Sequence, residues 1–251
     1  MKVATNAWQE RLDRAEHLAV QHAASSDVLR FYAKLLAFQR DLAVQLNDDV
    51  REPNQLAPFA PQLLQLLLNA GTPELKQIAR DSASLDFAAL LDTEWEMRTA
   101  AAWSAASFPV TALLQSFAHH RAAISEIDFR TLQPICPFCQ CPPQLGVLRP
   151  EGDGGKRYLL CSLCGTEWEY RRVICANCEE SDKEKLPVFK NEKAPYIQLA
   201  ACDTCHAYLK CVDLGVDGHA VPQADDVATL SMSLWMNQHG FHPIKLNLFG
   251  F

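Results

Sequence analysis

The chain has 251 residues, 49% hydrophobic and 21% charged, long enough to bury a sizeable core and ordinary for a globular protein. Its formal net charge of −7 speaks against nucleic-acid binding, which needs a basic surface to displace counterions from phosphates. The N-terminal stretch mixes acids and bases and lacks a basic segment followed by an apolar one, so no signal peptide is expected. The longest apolar cluster, residues 63–68, is broken by Gln65 and falls far short of the ~20 residues that cross a bilayer. A cytoplasmic protein without membrane insertion is expected.

Residues 1–130 read as helical. The first helix spans 6–24, with Trp8, Leu12, Ala15 and Ala19 at helical spacing. Asp27 is the expected cap of the second, along which Phe31, Leu35, Phe38, Leu42 and Leu46 step by three or four. Pro53, Pro58 and Pro61 interrupt the pattern before a third helix over 63–69, closed by Gly71. Thr72 and Pro73 start a fourth. Two more are expected over 85–106 and 109–124, giving a bundle of five or six. Trp95, Trp103 and Phe117 are core candidates. His119 and His120 are neighbours on a helix, roughly 100° apart, and do not easily share a metal; they are read as surface or core residues.

After Arg130 proline, glycine and cysteine rise and apolar runs become short. Residues 145–148 and 157–160 flank a glycine-rich turn at 152–155, a hairpin signal. Residues 167–173 alternate weakly, 188–189 and 196–199 flank a second polar turn, and 208–214 form a further strand candidate. Arg171, Arg172, Lys183 and Lys185 are read as a solvated strand edge and loop. Asp225 and Asp226 are expected to open a last helix reaching about Asn237, with Val227, Leu230, Leu234 and Trp235 on one face. Gly240 ends it, and the apolar tail 244–251 is expected to dock.

All ten cysteines lie between Cys136 and Cys211. Without an export signal a disulfide framework is not expected, and clustered pairs read as metal ligands or redox thiols. Cys136 and Cys139 recur as Cys175 and Cys178 at an offset of 39, and Cys161 and Cys164 as Cys202 and Cys205 at an offset of 41. Each copy reads pair, hairpin, pair, strand, the pattern of an internal duplication. A Cys-x-x-Cys turn places two sulfurs on one ion, and a hairpin brings a second turn to complete a tetrahedron. Cys136, Cys139, Cys161 and Cys164 are therefore expected to hold one metal, and Cys175, Cys178, Cys202 and Cys205 another. Each copy is near 40 residues, below the size at which an apolar core suffices without metals or disulfides. A structural zinc site adds on the order of 10–16 kcal/mol. Four sulfurs suit iron or zinc and leave no open coordination position for hydrolysis. Cys211 reads as a small buried apolar residue. Cys141, beside the first pair, reads as buried, as a substitute ligand or as a reactive thiol. A dithiol oxidoreductase would place a pair at a helix N-terminus in a βαβ unit, and none of the four pairs has that context.

The run from Arg157 to Trp168, RYLLCSLCGTEW, resembles the central signature of the formate dehydrogenase accessory proteins, the FdhE family. Cys202-Asp203-Thr204-Cys205 with Tyr208-Leu209-Lys210 and Asp213, the stretch 224–230 and Asn247-Leu248-Phe249 extend the likeness over about 120 residues. The helical half fits only in general character. The resemblance implies a cytoplasmic assembly factor that binds the immature, molybdenum-containing catalytic subunit of respiratory formate dehydrogenase before export. It implies no catalytic residue, and eight paired cysteines holding two rubredoxin-like metals, often regarded as iron. Members often carry glycine after each second cysteine, where a tight knuckle favours it. Here only Gly165 does, and Gln140, Glu179 and His206 stand at the other three places; slight strain is expected there, and an influence of His206 on its site.

The expected fold class is α+β: a helical domain (1–130), two tandem zinc-ribbon or rubredoxin-like modules (131–173 and 174–222), and a C-terminal helix and tail (223–251). The expected cofactors are two metal ions, iron or zinc. Rival readings are a rubredoxin-type electron carrier or redox sensor, and a zinc-ribbon nucleic-acid-binding factor.

Overall fold

The computed structural model describes residues 2–99, 104–127, 132–151 and 155–251. The fold is α+β, in two compact units. One comprises residues 1–126 with Leu248–Gly250, the other residues 127–247 with Phe251.

The helical unit contains α1 (Lys2–Gln21), α2 (Ser26–Gln45), α3 (Ala60–Ala70), α4 (Pro73–Asp81), α5 (Phe87–Glu96) and α6 (Phe108–Ala123). Trp8, Leu12, Ala15 and Ala19 are buried along α1, and Phe31, Leu35, Phe38, Leu42 and Leu46 along α2 and its end, so the expected stripes face the core. Each fully buried leucine contributes about 1.5–3 kcal/mol. The start of α2 differs from expectation. Asp27 lies in its first turn, and the cap position falls to Ser25, which makes no side-chain cap bond. The three prolines do more than interrupt: Pro53–Phe59 forms a 3-10 helix that runs into α3. Gly71 follows α3 with an ordinary negative φ; it is required by space, because a Cβ there would lie 2.6 Å from the Leu67 carbonyl oxygen. Thr72 Oγ1 accepts from the Leu75 amide and caps α4 as expected. The helix anticipated over 85–106 is shorter, capped by Asp86 and ending at Glu96. Trp103 lies outside the described residues.

Helix α6 is buried on most faces, the signature of a helix surrounded by others. Phe117 is in the core, and Trp95 meets it edge-on at 5.1 Å while Arg98 covers the indole. His120 is buried and its Nε2 contacts the Asn47 carbonyl at 2.9 Å. His119 packs against Trp8, with ring centres 4.9 Å apart and the planes tilted by 45°. Burial first, then the positive charge of Arg11, pushes its pKa down to about 3. In the tail, Phe249 packs among Phe31, Tyr32 and Phe108, so this segment docks as expected.

The second unit is built on one sheet. Strands β1 (Pro143–Arg149), β2 (Lys156–Cys161) and β3 (Glu167–Tyr170) come from the first copy, and β4 (Val188–Asn191), β5 (Ala194–Ala201) and β6 (Ala207–Asp213) from the second. The order is β3-β2-β1-β6-β5-β4, with a short β7 (His242–Pro243) pairing with β6. The expected hairpins form, although residues 152–154 of the first turn lie outside the described residues. The two copies are joined by the parallel pair β1–β6, in which Gly146 faces Cys211. A Cβ at Gly146 would stand 2.5 Å from the Cys211 sulfur, so glycine is what lets this seam close. Cys211 is the buried small residue anticipated, and burial pushes its thiol up to about 11.

The final helix departs from expectation. It is two short helices, α7 (Pro222–Ala228) and α8 (Leu230–Gln238). Asp225 and Asp226 do not open it; they lie in the middle of α7, fully buried. Asp226 pairs with buried Lys210 at 2.6 Å and also accepts from Gln144 of β1 and Asn247 of the tail. Lys210 spends its remaining hydrogens on the Asp226 and Thr229 carbonyls. Asp225 accepts from the Tyr196 hydroxyl and the Val221 amide. Asp226 is thus a joint between the two copies and the tail, and Asp225 ties α7 to β5. Leu234 and Trp235, expected on the buried face, are 47% and 39% exposed. Met232 and Met236 fill the core instead, and Gly240 ends the helix at φ 84°.

Candidate metal centres

Each Cys-x-x-Cys pair folds into the same turn. The amide of the first cysteine donates to the carbonyl five residues on: Cys136 to Cys141 at 3.0 Å, Cys161 to Thr166 at 2.9 Å, Cys175 to Glu180 at 2.9 Å and Cys202 to Ala207 at 3.0 Å. The residue after the second cysteine takes a left-handed conformation in every case: φ is 62° at Gln140, 67° at Gly165, 61° at Glu179 and 56° at His206. The expected strain is therefore present at the three non-glycine positions, each at a cost of roughly 1–2 kcal/mol. The turn aims amides at sulfur. Leu163 and Cys164 donate to Cys161 Sγ at 3.4 and 3.5 Å, and Asn177 donates to Cys175 Sγ at 3.4 Å.

The hairpins then bring turns together in pairs. Cys136, Cys139, Cys161 and Cys164 form one group and Cys175, Cys178, Cys202 and Cys205 another, with all sulfurs of a group within 4.8 Å of one another. In the first, Cys139 and Cys161 are 3.3 Å apart and Cys136 and Cys164 3.5 Å. In the second, Cys175–Cys205 and Cys178–Cys202 are both 3.7 Å. Four sulfurs at such separations surround a point at metal–thiolate distance, and either group could hold an ion. Together these are the groups anticipated from the spacing.

The crowded thiols perturb one another. Hydrogen bonds from Cys139, Cys161 and Cys164 hold the Cys136 thiol far below its ordinary range. Bonds to Cys136 and Cys141 push Cys139 up, and burial does the same to Cys161. Closely packed thiols cannot all ionise at once, and a divalent ion would remove that conflict. In the second group burial pushes Cys175 up to about 12 and raises Cys178. Cys205 stands at about 7, because bonds from Asn177, the Ala207 amide and neighbouring thiols outweigh the burial that would raise it.

Other residues near the groups fall into place. Cys141 is buried with its thiol against Cys139 and Cys161, outside the four-sulfur group, while its carbonyl closes the turn. The His206 ring lies 6.0 Å from that of Phe241, its amide donates to the Cys202 carbonyl and its own carbonyl accepts from His242. Sequence reasoning missed two supports. The Cys164 thiol meets Thr166 Oγ1 at 3.2 Å. Thr204 donates to Glu180 at 2.6 Å, linking the two turns of the second group and holding the Glu180 pKa down to about 2. Hydroxyls at these places carry no local signal.

Two family models match this unit: "FdhE, central domain" over residues 135–172 and "FdhE, C-terminal domain" over residues 173–249. The crystal structure of the FdhE protein from Pseudomonas aeruginosa superposes with a TM-score of 0.74 at 25% identity, over 97% of this chain and 95% of that one. The chain belongs to the FdhE family. Among its relatives, the FdhE homolog of Aquifex aeolicus is 26% identical over 96% of this chain and 94% of its own length. That of Haemophilus ducreyi is 38% identical over 59% of this chain and 47% of its own length. The boundary between the two family models falls between Arg172 and Val173, immediately before the second copy's first turn. No described helix is long and apolar enough to cross a membrane.

Proposed function

We propose that this FdhE-family chain is a cytoplasmic accessory factor that binds the immature catalytic subunit of formate dehydrogenase and assists its maturation. In this reading Cys136, Cys139, Cys161 and Cys164 hold one ion, Cys175, Cys178, Cys202 and Cys205 hold a second, and both ions are iron or zinc. Residues 1–130 form the helical domain, 131–173 and 174–222 the two metal modules, and 223–251 the terminal segment.

The observation that carries the reading is the pair of four-sulfur groups within the region that matches the FdhE models. A tetrahedron completed by four thiolates offers no site for a substrate or an attacking water. Its natural work is to hold a surface in shape, so no residue is assigned a catalytic role. The exposure of Cys178 and the half-exposure of Cys205 favour one secondary reading, redox sensing through the second centre when it holds iron.

The test is capture of the formate dehydrogenase catalytic subunit by tagged chain, with metal analysis of the same material. The wild type should retain the subunit and carry two metal equivalents. Cys161→Ser should lose an equivalent and the subunit together. Retention of the subunit at full strength by metal-free material would contradict the link between the centres and client binding. Failure of fully metallated wild type to retain it would contradict the client assignment.

A further inference from the structure

Arg157 belongs to the first copy, on β2, yet its side chain serves the second. It is buried, and its Nη2 donates to the carbonyls of Arg171 and, at 2.6 Å, Ile174. These residues belong to the segment that delivers Cys175. The guanidinium lies 5.3 Å from the centre of the Tyr170 ring, and its Nε is sealed from solvent without a hydrogen-bond partner. Arg157, Arg172 and Cys175 line one cavity of about 210 Å³.

Among the described residues no carboxylate forms an ion pair with Arg157. A guanidinium keeps its proton, and a buried charge without an opposite charge is costly. Burial lowers its pKa, while the nearby Cys211, Tyr170 and Cys175 act in the opposite sense. Four thiolates around a divalent ion carry a net charge of roughly −2, which supplies the anion that the guanidinium otherwise lacks.

We infer that Arg157 is a positioning residue of the second metal centre. Its guanidinium offsets the charge of the thiolates at Cys175, Cys178, Cys202 and Cys205 and braces the carbonyls that lead into the first of them. This rests on the metal reading proposed above. It also gives the centres an order of dependence. The strand that carries Arg157 ends in Cys161, a ligand of the first centre, so closing the first centre sets in place the counter-charge of the second.

The test uses the full chain loaded with cobalt(II), with chelator competition followed through thiolate-to-cobalt absorbance. Wild type should bind two equivalents, and Cys202→Ser identifies the one belonging to the second centre. Arg157→Gln keeps a hydrogen-bond donor and removes the charge; it should weaken that equivalent roughly 10-fold or more and leave the first unchanged. Arg157→Lys keeps the charge without the planar fork and should recover most of the loss. Equal loss in the Gln and Lys variants would assign Arg157 a brace alone and overturn the inference, as would loss of both equivalents in both variants. Unchanged affinity in Arg157→Gln with two equivalents bound would overturn it while leaving the metal reading intact. A wild type that binds no cobalt would overturn both.

Discussion

The two four-cysteine groups share one turn and one hairpin plan, yet they sit in opposite surroundings. Cys136, Cys139, Cys161 and Cys164 are all buried, whereas in the second group Cys178 is exposed and Cys205 partly so. The apolar side chains beside them differ as well. In the first copy Leu145, Val147 and Leu160 form one cluster, and Leu148, Leu159, Trp168 and Tyr170 are buried as well. The second shares a larger one that includes Ile197, Leu199, Tyr208, Val212, Met232 and Met236. An ion held by the first group would be walled in by buried sulfurs and would serve folding. An ion held by the second group would stand nearer the surface, where solvent, reductants or another protein could reach it.

The sharpest way to break this contrast is to remove one ligand from each group. Cys161→Ser should cost the first metal equivalent, weaken the second by displacing Arg157, and remove much of the roughly 10–16 kcal/mol that a structural site supplies, seen as loss of the cooperative melt of the sheet. Cys178→Ser should cost the other equivalent and leave that melt largely in place. Collapse in both variants would erase the distinction. A smaller effect is expected at the joint between the copies. Asp226→Asn leaves Lys210 buried without its counter-charge and should cost about 3–5 kcal/mol, measured by denaturant unfolding. Because Asp226 meets Gln144 of one copy and Lys210 of the other, this variant should hasten chelator release from both centres. The smallest effects lie in the turns. Replacing Gln140, Glu179 or His206 by glycine relieves a left-handed φ but adds freedom to the unfolded chain, for a net gain of about 0.5–1 kcal/mol each. Two of these positions belong to the second centre, so the pair Glu179→Gly and His206→Gly should raise its thermal midpoint more than Gln140→Gly raises the first.

What the sequence reveals follows the range of the forces involved. A Cys-x-x-Cys turn is local, and its repetition at offsets of 39 and 41 fixes which pairs share a hairpin. The sulfur groups were therefore readable, as were the helical stripes of α1 and α2 and the three strands of each copy. The parallel pairing of β1 with β6 joins residues more than sixty positions apart, and only the fit of Gly146 against Cys211 marks it. Asp225 and Asp226 look like a helix start because acids favour that place; their partners Lys210, Gln144, Tyr196 and Asn247 are remote, and no local rule names them. The exposure of Trp235 is hidden from the sequence for a related reason. A single face drawn from Val227 to Trp235 crosses a break at Thr229, and α8 turns Met232 and Met236 inward instead. The difference in exposure between the two centres depends on what packs over each turn, which spacing does not encode.

The most direct test is metal release from the intact chain, followed with a chromophoric chelator together with elemental analysis. Two equivalents per chain should leave in two phases: a fast one that Cys178→Ser abolishes, and a slow one that coincides with unfolding of the sheet. A single phase for both ions, or a metal-free chain that retains its native melt, would contradict the account.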